Sequence, residues 1–98
     1  MYDAIGLIET NGVAISIKAA DAMLKEAEVF IIKHETRDVA LVTLLIGGSL
    51  SSVRMAIDVG KEIARAEGAL YTAGLLANPN EDTDLFYQKE KNTRWVSL

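Results

Sequence analysis

The sequence contains no cysteine and a single histidine, His34. The absence of cysteine excludes disulfides, thiolate metal ligands and cysteine nucleophiles. One imidazole cannot by itself build a zinc site, because such a site needs several protein ligands. We therefore expect no metal, no cofactor and no redox chemistry.

Long hydrophobic runs are also missing. The longest apolar stretch, residues 39–46, has eight residues and includes a threonine, whereas a membrane-spanning helix needs roughly 20 apolar residues. The first residues include the acid Asp3 and show neither the basic segment nor the cleavage site of a signal peptide. We expect a cytoplasmic protein that does not enter a membrane.

Positive charge and aromatic side chains are scarce. Ten Lys and Arg stand against 14 Asp and Glu, which gives a formal net charge of -4 at pH 7, and aromatic residues make up 6% of the chain. The bases do not cluster on one predicted face, as they do in nucleic-acid binders. The two predicted central strands, residues 4–10 and 39–46, contain no aromatic residue on which RNA bases would stack. A nucleic-acid partner is therefore not expected.

Apolar residues, in contrast, are abundant. The 98 residues suffice for one domain. When glycine is counted and tyrosine is not, roughly 54% of the chain is apolar, against about 45–50% in average globular chains. A domain this small hides only part of its surface, so the surplus indicates burial against other subunits. Self-association is the first functional expectation.

Short apolar stretches bounded by turn-forming residues predict four strands, at residues 4–10, 29–35, 39–46 and 69–76. Two helices are predicted between them. In the first, apolar residues recur at spacings of three and four, at Val13, Ile17, Ala20, Leu24 and Ala27. The second starts after the turn 47–48 with Ser49 as N-cap and ends at Gly68. Its apolar stripe consists of Val53, Ala56, Ile57, Gly60, Ile63 and Ala64.

The resulting order, β-α-β-β-α-β, predicts an α+β fold of the ferredoxin-like kind. Two helices would cover one face of a four-stranded antiparallel sheet. We place the domain at residues 1–84 and a C-terminal tail at residues 85–98. Phe86 and Trp95 favour packing of the tail on the open sheet face or on a neighbour, with a disordered extension as the alternative.

Catalytic chemistry finds little support in the residues. Nucleophilic catalysis needs a hydroxyl beside an oriented base, and we assign His34, in a predicted strand, no catalytic role. The acids at residues 81–84 lack the spacing of a calcium loop, and residues 47–49 lack the pattern of a phosphate loop. We therefore predict that the chain is not an enzyme.

Three stretches together are specific enough to suggest a family: AIGLIETNG at residues 4–12, ADAMLK at 20–25, and LVT at 41–43 followed by SVRMAIDVG at 52–60. They resemble the shell proteins of bacterial microcompartments, and the likeness runs without gaps over about residues 3–84. The resemblance implies a cyclic hexamer that serves as a hexagonal tile. Such tiles meet edge to edge in sheets that enclose enzymes, together with paralogous shell proteins and vertex proteins, and they control the passage of small metabolites.

The resemblance also implies two sets of site residues. The loop after the second strand would line a central pore, and here it consists of Thr36, Arg37, Asp38, Val39 and Ala40, without the family's glycines. We hypothesise a polar, altered gate centred on Arg37, Asp38 and Val39, either a ring of salt bridges or a ring that presents one sign of charge. Lys25 matches the family's edge lysine. Asn78 stands where many members have an arginine, and Pro79 keeps the following proline.

Two alternatives remain open. A regulatory ligand-binding domain of the same topology would bind a small molecule between subunits, and a small enzyme of this fold ranks third because a nucleophile and base pair is missing. A stoichiometric ligand, together with the absence of two-dimensional sheets, would favour the regulatory domain.

Overall fold

A computed structural model describes residues 3–37, 39–77 and 96–98 of the chain. Five strands and two helices follow one another in these residues: β1 (Ala4–Asn11), α1 (Val13–Glu26), β2 (Val29–Thr36), β3 (Leu41–Gly48), α2 (Leu50–Ala66), β4 (Leu70–Ala77) and β5 (Val96–Ser97). Neither helix is long and apolar enough to cross a membrane.

The strands form one antiparallel sheet in the order β2-β3-β1-β4-β5, with β1 at its centre. Ile8 of β1, for example, lies opposite Leu44 on one side and Ala73 on the other. The predicted α+β architecture is therefore confirmed, with one correction. The sheet has five strands rather than four, because two residues of the predicted tail pair with Gly74 and Leu75 of β4.

Helix α1 corrects the predicted buried face. Ser16, Ala19, Ala20 and Met23 are buried, whereas three members of the predicted stripe are about half exposed, namely Val13, Ile17 and Leu24. Small side chains let a helix approach a sheet closely. The larger aliphatic side chains are consequently left on the outer face of the helix.

Helix α2 follows the prediction. Its buried residues are Val53, Ala56, Ile57, Gly60 and Ala64. The Ser49 hydroxyl accepts a hydrogen bond from the Ser52 backbone N–H at 3.1 Å, as expected of an N-cap. At the other end Gly68 has a φ of 67°, which allows its N–H and that of Ala69 to bond back to the last turn.

Strand β3 begins two residues later than predicted and includes Gly47 and Gly48, which the sequence placed in a turn. A Cβ atom on Gly48 would lie 3.0 Å from the backbone oxygen of Glu28. Glycine therefore permits the close approach of β2 to β3 at this end of the sheet. The later start of β3 also leaves Val39 and Ala40 in the connecting loop.

The core lies between the helices and one face of the sheet. A Cβ on Gly60 would meet Ile8 of β1 and Met23 of α1 within 2.6 Å, so the three elements touch at this point. The absence of a side chain at Gly6 likewise makes room for Ile57 and Val53 of α2, each 2.8 Å from the position of a Cβ. Two glycines thus set the distance between α2 and its neighbours.

Candidate functional site

The loop between β2 and β3 is held at both ends by backbone hydrogen bonds. The Arg37 N–H donates to the Leu41 carbonyl at 2.7 Å and closes the base of the hairpin. The Gly12 N–H donates to the Ala40 carbonyl, also at 2.7 Å. Gly12 can make this bond because its backbone has a φ of 108°, a conformation that glycine adopts at little energetic cost. The loop is therefore fixed against the turn that joins β1 to α1.

The Arg37 side chain lies beside a carboxylate of its own chain. Its Nη1 is 4.0 Å from Oε2 of Glu9, and the same oxygen accepts a hydrogen bond of 2.7 Å from the Thr43 hydroxyl. Glu9 and Thr43 are directly opposite each other on the two central strands. The Glu9 side chain is only 12% exposed. The Arg37 guanidinium thus lies next to a carboxylate that is nearly buried between the strands.

Val39 stands out among the described loop residues. Its side chain is 99% exposed, and its neighbour Ala40 and the strand residue Thr36 are also exposed. Asp38, the fifth residue of the predicted pore loop, lies outside the described residues. The other four predicted pore residues are brought together by the hairpin.

Of the predicted edge residues, Lys25 is described and lies far from this loop. Lys25 is in the last turn of α1, with a side chain 73% exposed and its Nζ 3.1 Å from Oδ2 of Asp21. Because α1 starts next to the loop and rises about 1.5 Å per residue, Lys25 lies about 18 Å further along the helix axis. Asn78 and Pro79 fall outside the described residues. Lys25 is therefore separated from the described part of the loop by about the length of a helix.

A hydroxyl–imidazole contact was missed by the sequence analysis. The Ser16 Oγ lies 2.6 Å from the His34 Nε2. Ser16 is only 1% exposed, so a substrate has no path to its hydroxyl. No side-chain carboxylate is hydrogen-bonded to His34 within the part of the chain that the structure describes. The contact therefore joins α1 to β2 and does not form a catalytic triad.

A shallow cavity of about 330 Å³ opens at the start of α2, lined by Glu28, Val29, Phe30, Gly48, Ser49 and Ser52. The Ser49 hydroxyl in its wall already serves as the helix cap, as the sequence analysis favoured. Across residues 3–37, 39–77 and 96–98, no group of three His, Asp or Glu side chains is arranged to hold a metal ion. Among the described residues, the exposed and well-anchored feature is the loop between β2 and β3.

Comparison with known proteins gives this domain a family. The model of the BMC domain matches residues 4–79, and the chain belongs to the BMC domain family. Proteins of this family are structural components of microcompartment shells, not catalysts. The predicted resemblance is therefore confirmed.

Among its relatives are two kinds of bacterial microcompartment shell protein. EutK of Salmonella typhimurium is 37% identical over 83 residues, which cover 85% of this chain and 51% of EutK. PduA of Citrobacter freundii is 33% identical over 87 residues, covering 89% of this chain and 94% of PduA. The chain thus spans about half the length of EutK and nearly all of PduA.

A solved structure supports the same assignment. The crystal structure of a microcompartment protein from Desulfitobacterium hafniense DCB superposes with a TM-score of 0.75 at 31% identity. The match covers 83% of this chain and 44% of that one.

Proposed function

We propose that the protein is a hexameric tile of a bacterial microcompartment shell and has no catalytic activity of its own. The observation that carries this proposal is the similarity to the shell protein PduA along nearly the whole length of both chains. A single BMC domain cannot enclose a volume, so its role as a shell component requires self-assembly. A closed ring of identical subunits satisfies every copy of one interface.

The apolar surface of a single copy supports assembly. Ile17 and Leu24 on α1 and Met55 on α2 are about half exposed, and Ile15 is partly buried. Several large aliphatic side chains exposed on two neighbouring helices are typical of a subunit interface. We assign Ile15 and Met55, together with the outer face of α1, to contacts between subunits.

The β2–β3 loop is the proposed lining of the central opening, through Thr36, Arg37, Asp38, Val39 and Ala40. Two observations support this proposal. The loop matches the pore loop of the family in its place along the chain, and backbone hydrogen bonds fix both of its ends. A loop that lines a pore must keep its shape without contacts on the side of the opening. In this role it would control which small metabolites pass.

The opposite end of α1 is the proposed edge of the tile. Lys25 is exposed and close to the end of the helix, where it can reach a neighbouring tile. Asn78 and Pro79 complete the proposed edge. We further propose a domain at residues 1–84 with a tail at 85–98, a cytoplasmic shell as the location, and paralogous shell proteins, vertex proteins and enclosed enzymes as partners.

Light scattering of the purified protein, with negative-stain imaging of the same peak, tests this function. We expect a mass of six chains and hexagonal discs or sheets. A dimer or trimer that forms no sheets would overturn the tile and favour a regulatory ligand-binding domain. Screening of small ligands would then follow.

A further inference from the structure

The strand β4 has β1 on one side, and a short piece of the same chain covers its other edge. There β5 pairs antiparallel with β4, with Gly74 opposite Ser97. The Leu98 N–H continues this pairing, since it donates to the Ala73 carbonyl at 2.8 Å. The edge of a strand presents N–H and C=O groups to which any extended chain can bond. Residues 96–98 therefore occupy a surface that is suited to an extended peptide.

Leu98 is held through both of its backbone polar groups and through its side chain. Its N–H bonds to β4, and its carbonyl accepts a hydrogen bond of 2.8 Å from the Lys61 Nζ of α2. Its side chain is partly buried against the hydrophobic core. When a peptide adds a strand to a sheet, the backbone bonds give affinity and the contacts of alternate side chains give specificity. The edge of β4 and Lys61, together called the β4 groove, thus select an extended segment with an aliphatic residue at the place of Leu98.

The connection between the two strands is much longer than their pairing requires. Residues 78–95 join β4 to β5 and number 18, whereas a hairpin closes with about 2–5 residues. A chain of this length spans at most roughly 60 Å. The longest axis of the described residues is 34 Å. The same segment of an adjacent copy is therefore within reach of the β4 groove.

We propose that the β4 groove is a docking site for an extended segment, that residues 96–98 occupy it in their own chain, and that the same segment of a second copy can take their place. Every copy carries both the groove and the segment that fits it. Exchange of an identical element joins two copies at little cost, because the contacts already exist. The inference does not rest on the hexameric tile, since the groove and its occupant lie within one chain.

Binding of a labelled peptide, followed by fluorescence anisotropy, tests the proposal. The peptide has the sequence of residues 92–98 and is amidated, so that its end adds no charge. Leu98→Gly in the full chain removes the side chain that anchors the chain's own segment. We expect this variant to bind the peptide at least about tenfold more tightly than the wild type does, because the wild-type groove is filled.

The same peptide with glycine in place of its leucine is the control for specificity. It should bind the Leu98→Gly chain at least about tenfold more weakly than the original peptide does. Equal binding of the two peptides would overturn the docking site. Equal binding of the original peptide by the wild-type and Leu98→Gly chains would overturn it as well, because the peptide would then bind outside the β4 groove.

Lys61→Met, added to the Leu98→Gly chain, tests the other side of the groove. It removes the donor to the Leu98 carbonyl, and we expect it to weaken binding of the peptide at least about fivefold. Lys18→Met in the same chain is the matched control, since Lys18 lies on α1 and pairs with Glu67. It should leave binding unchanged. Equal effects of the two substitutions would remove Lys61 from the site and overturn the groove as defined.

Two further measurements keep the test decisive. Urea unfolding shows whether Leu98→Gly is folded, and Val96→Pro replaces it if it is not, because proline cannot donate to the β4 ladder and leaves Leu98 unchanged. Light scattering separates this proposal from the tile. A chain that is not a hexamer but binds the peptide as expected disproves only the tile. A hexamer whose folded Leu98→Gly or Val96→Pro form does not bind the peptide disproves only the docking site.

Discussion

The Ser16 hydroxyl on α1 and the His34 imidazole on β2 are hydrogen-bonded at 2.6 Å across a separation of 18 positions in the chain. Ser16 belongs to the buried face of α1, so this bond places a polar contact at the border of the core. It ties the first helix to the strand that leads into the candidate pore loop. The contact offers a direct test of how that strand is held.

We predict that Ser16→Ala lowers the free energy of unfolding by about 1 kcal/mol, the net worth of one hydrogen bond. His34→Phe should cost about 2 kcal/mol, because the ring still covers a Ser16 hydroxyl that has lost its partner. The double variant should be more stable than His34→Phe alone. Urea unfolding at a fixed protein concentration measures all three.

Ser51→Ala is the control for these variants, since Ser51 is an exposed serine in the first turn of α2. It should change stability by less than about 0.5 kcal/mol. Strictly additive effects of Ser16→Ala and His34→Phe would show that the two side chains are not energetically coupled.

Gly6→Ala should destabilise the protein by about 1–3 kcal/mol, as overpacking of a tight core does. The added Cβ would lie 2.8 Å from two atoms of Ile57 and one of Val53, so α2 must move away from the sheet. Thermal or urea unfolding measures the loss. The double variant Gly6→Ala/Ile57→Ala tests this explanation, because it removes the two Ile57 atoms that would clash with the added Cβ. A double variant as unstable as the sum of the single ones would argue against overpacking.

Thr43→Val should cost about 1–2 kcal/mol, because the nearly buried Glu9 carboxylate loses the hydroxyl that donates to it at 2.7 Å. Valine has nearly the same shape as threonine, so no cavity contributes. Thr36→Val, at an exposed position of β2, is the matched control and should stay within about 0.5 kcal/mol of the wild type. Equal losses in the two variants would mean that the Glu9 contact contributes nothing specific.

Lys25→Ala should leave the hexamer intact and abolish the sheets seen by electron microscopy. Its ion pair with Asp21 is exposed, and exposed pairs contribute at most about 1 kcal/mol, so the fold should persist. Lys18→Ala removes another exposed lysine of the same helix, which is paired with Glu67 at 3.4 Å, and should leave the sheets unaffected. Sheets that survive Lys25→Ala would remove Lys25 from the proposed edge.

The sequence predicted the helix α2 well and the helix α1 poorly for one reason. In α2 every buried residue belongs to the predicted apolar stripe, so periodicity identifies the correct face. In α1 the buried face is built from Ser16 and alanines, with Met23 as its only large member. The spacing of apolar residues instead selects Val13 and Ile17, which lie on the outer face. Periodicity records which residues are apolar and not which face of the helix packs closely against the sheet.

The candidate loop was located from the sequence, but its interior arrangement was not. The pairing of Arg37 with Glu9 depends on the register of β1 against β3, which no local pattern encodes. The start of β3 was predicted at residue 39 because Val39 and Ala40 extend an apolar run. In the structure the chain is still turning there, and the same apolarity is exposed at the loop tip. The short strand β5 escaped prediction because two residues carry no periodicity.

The position of β1 has a consequence for synthesis of the protein. Of the described strands, β1 is synthesised first, and both of its partners, β3 and β4, are made later. One of its edges stays unpaired until β4 has emerged, and an open apolar edge is a template for aggregation. The sheet is therefore completed late, in a step that needs almost the entire domain. Nascent chains that stop before β4 should be recovered as aggregates and not as partly folded domains.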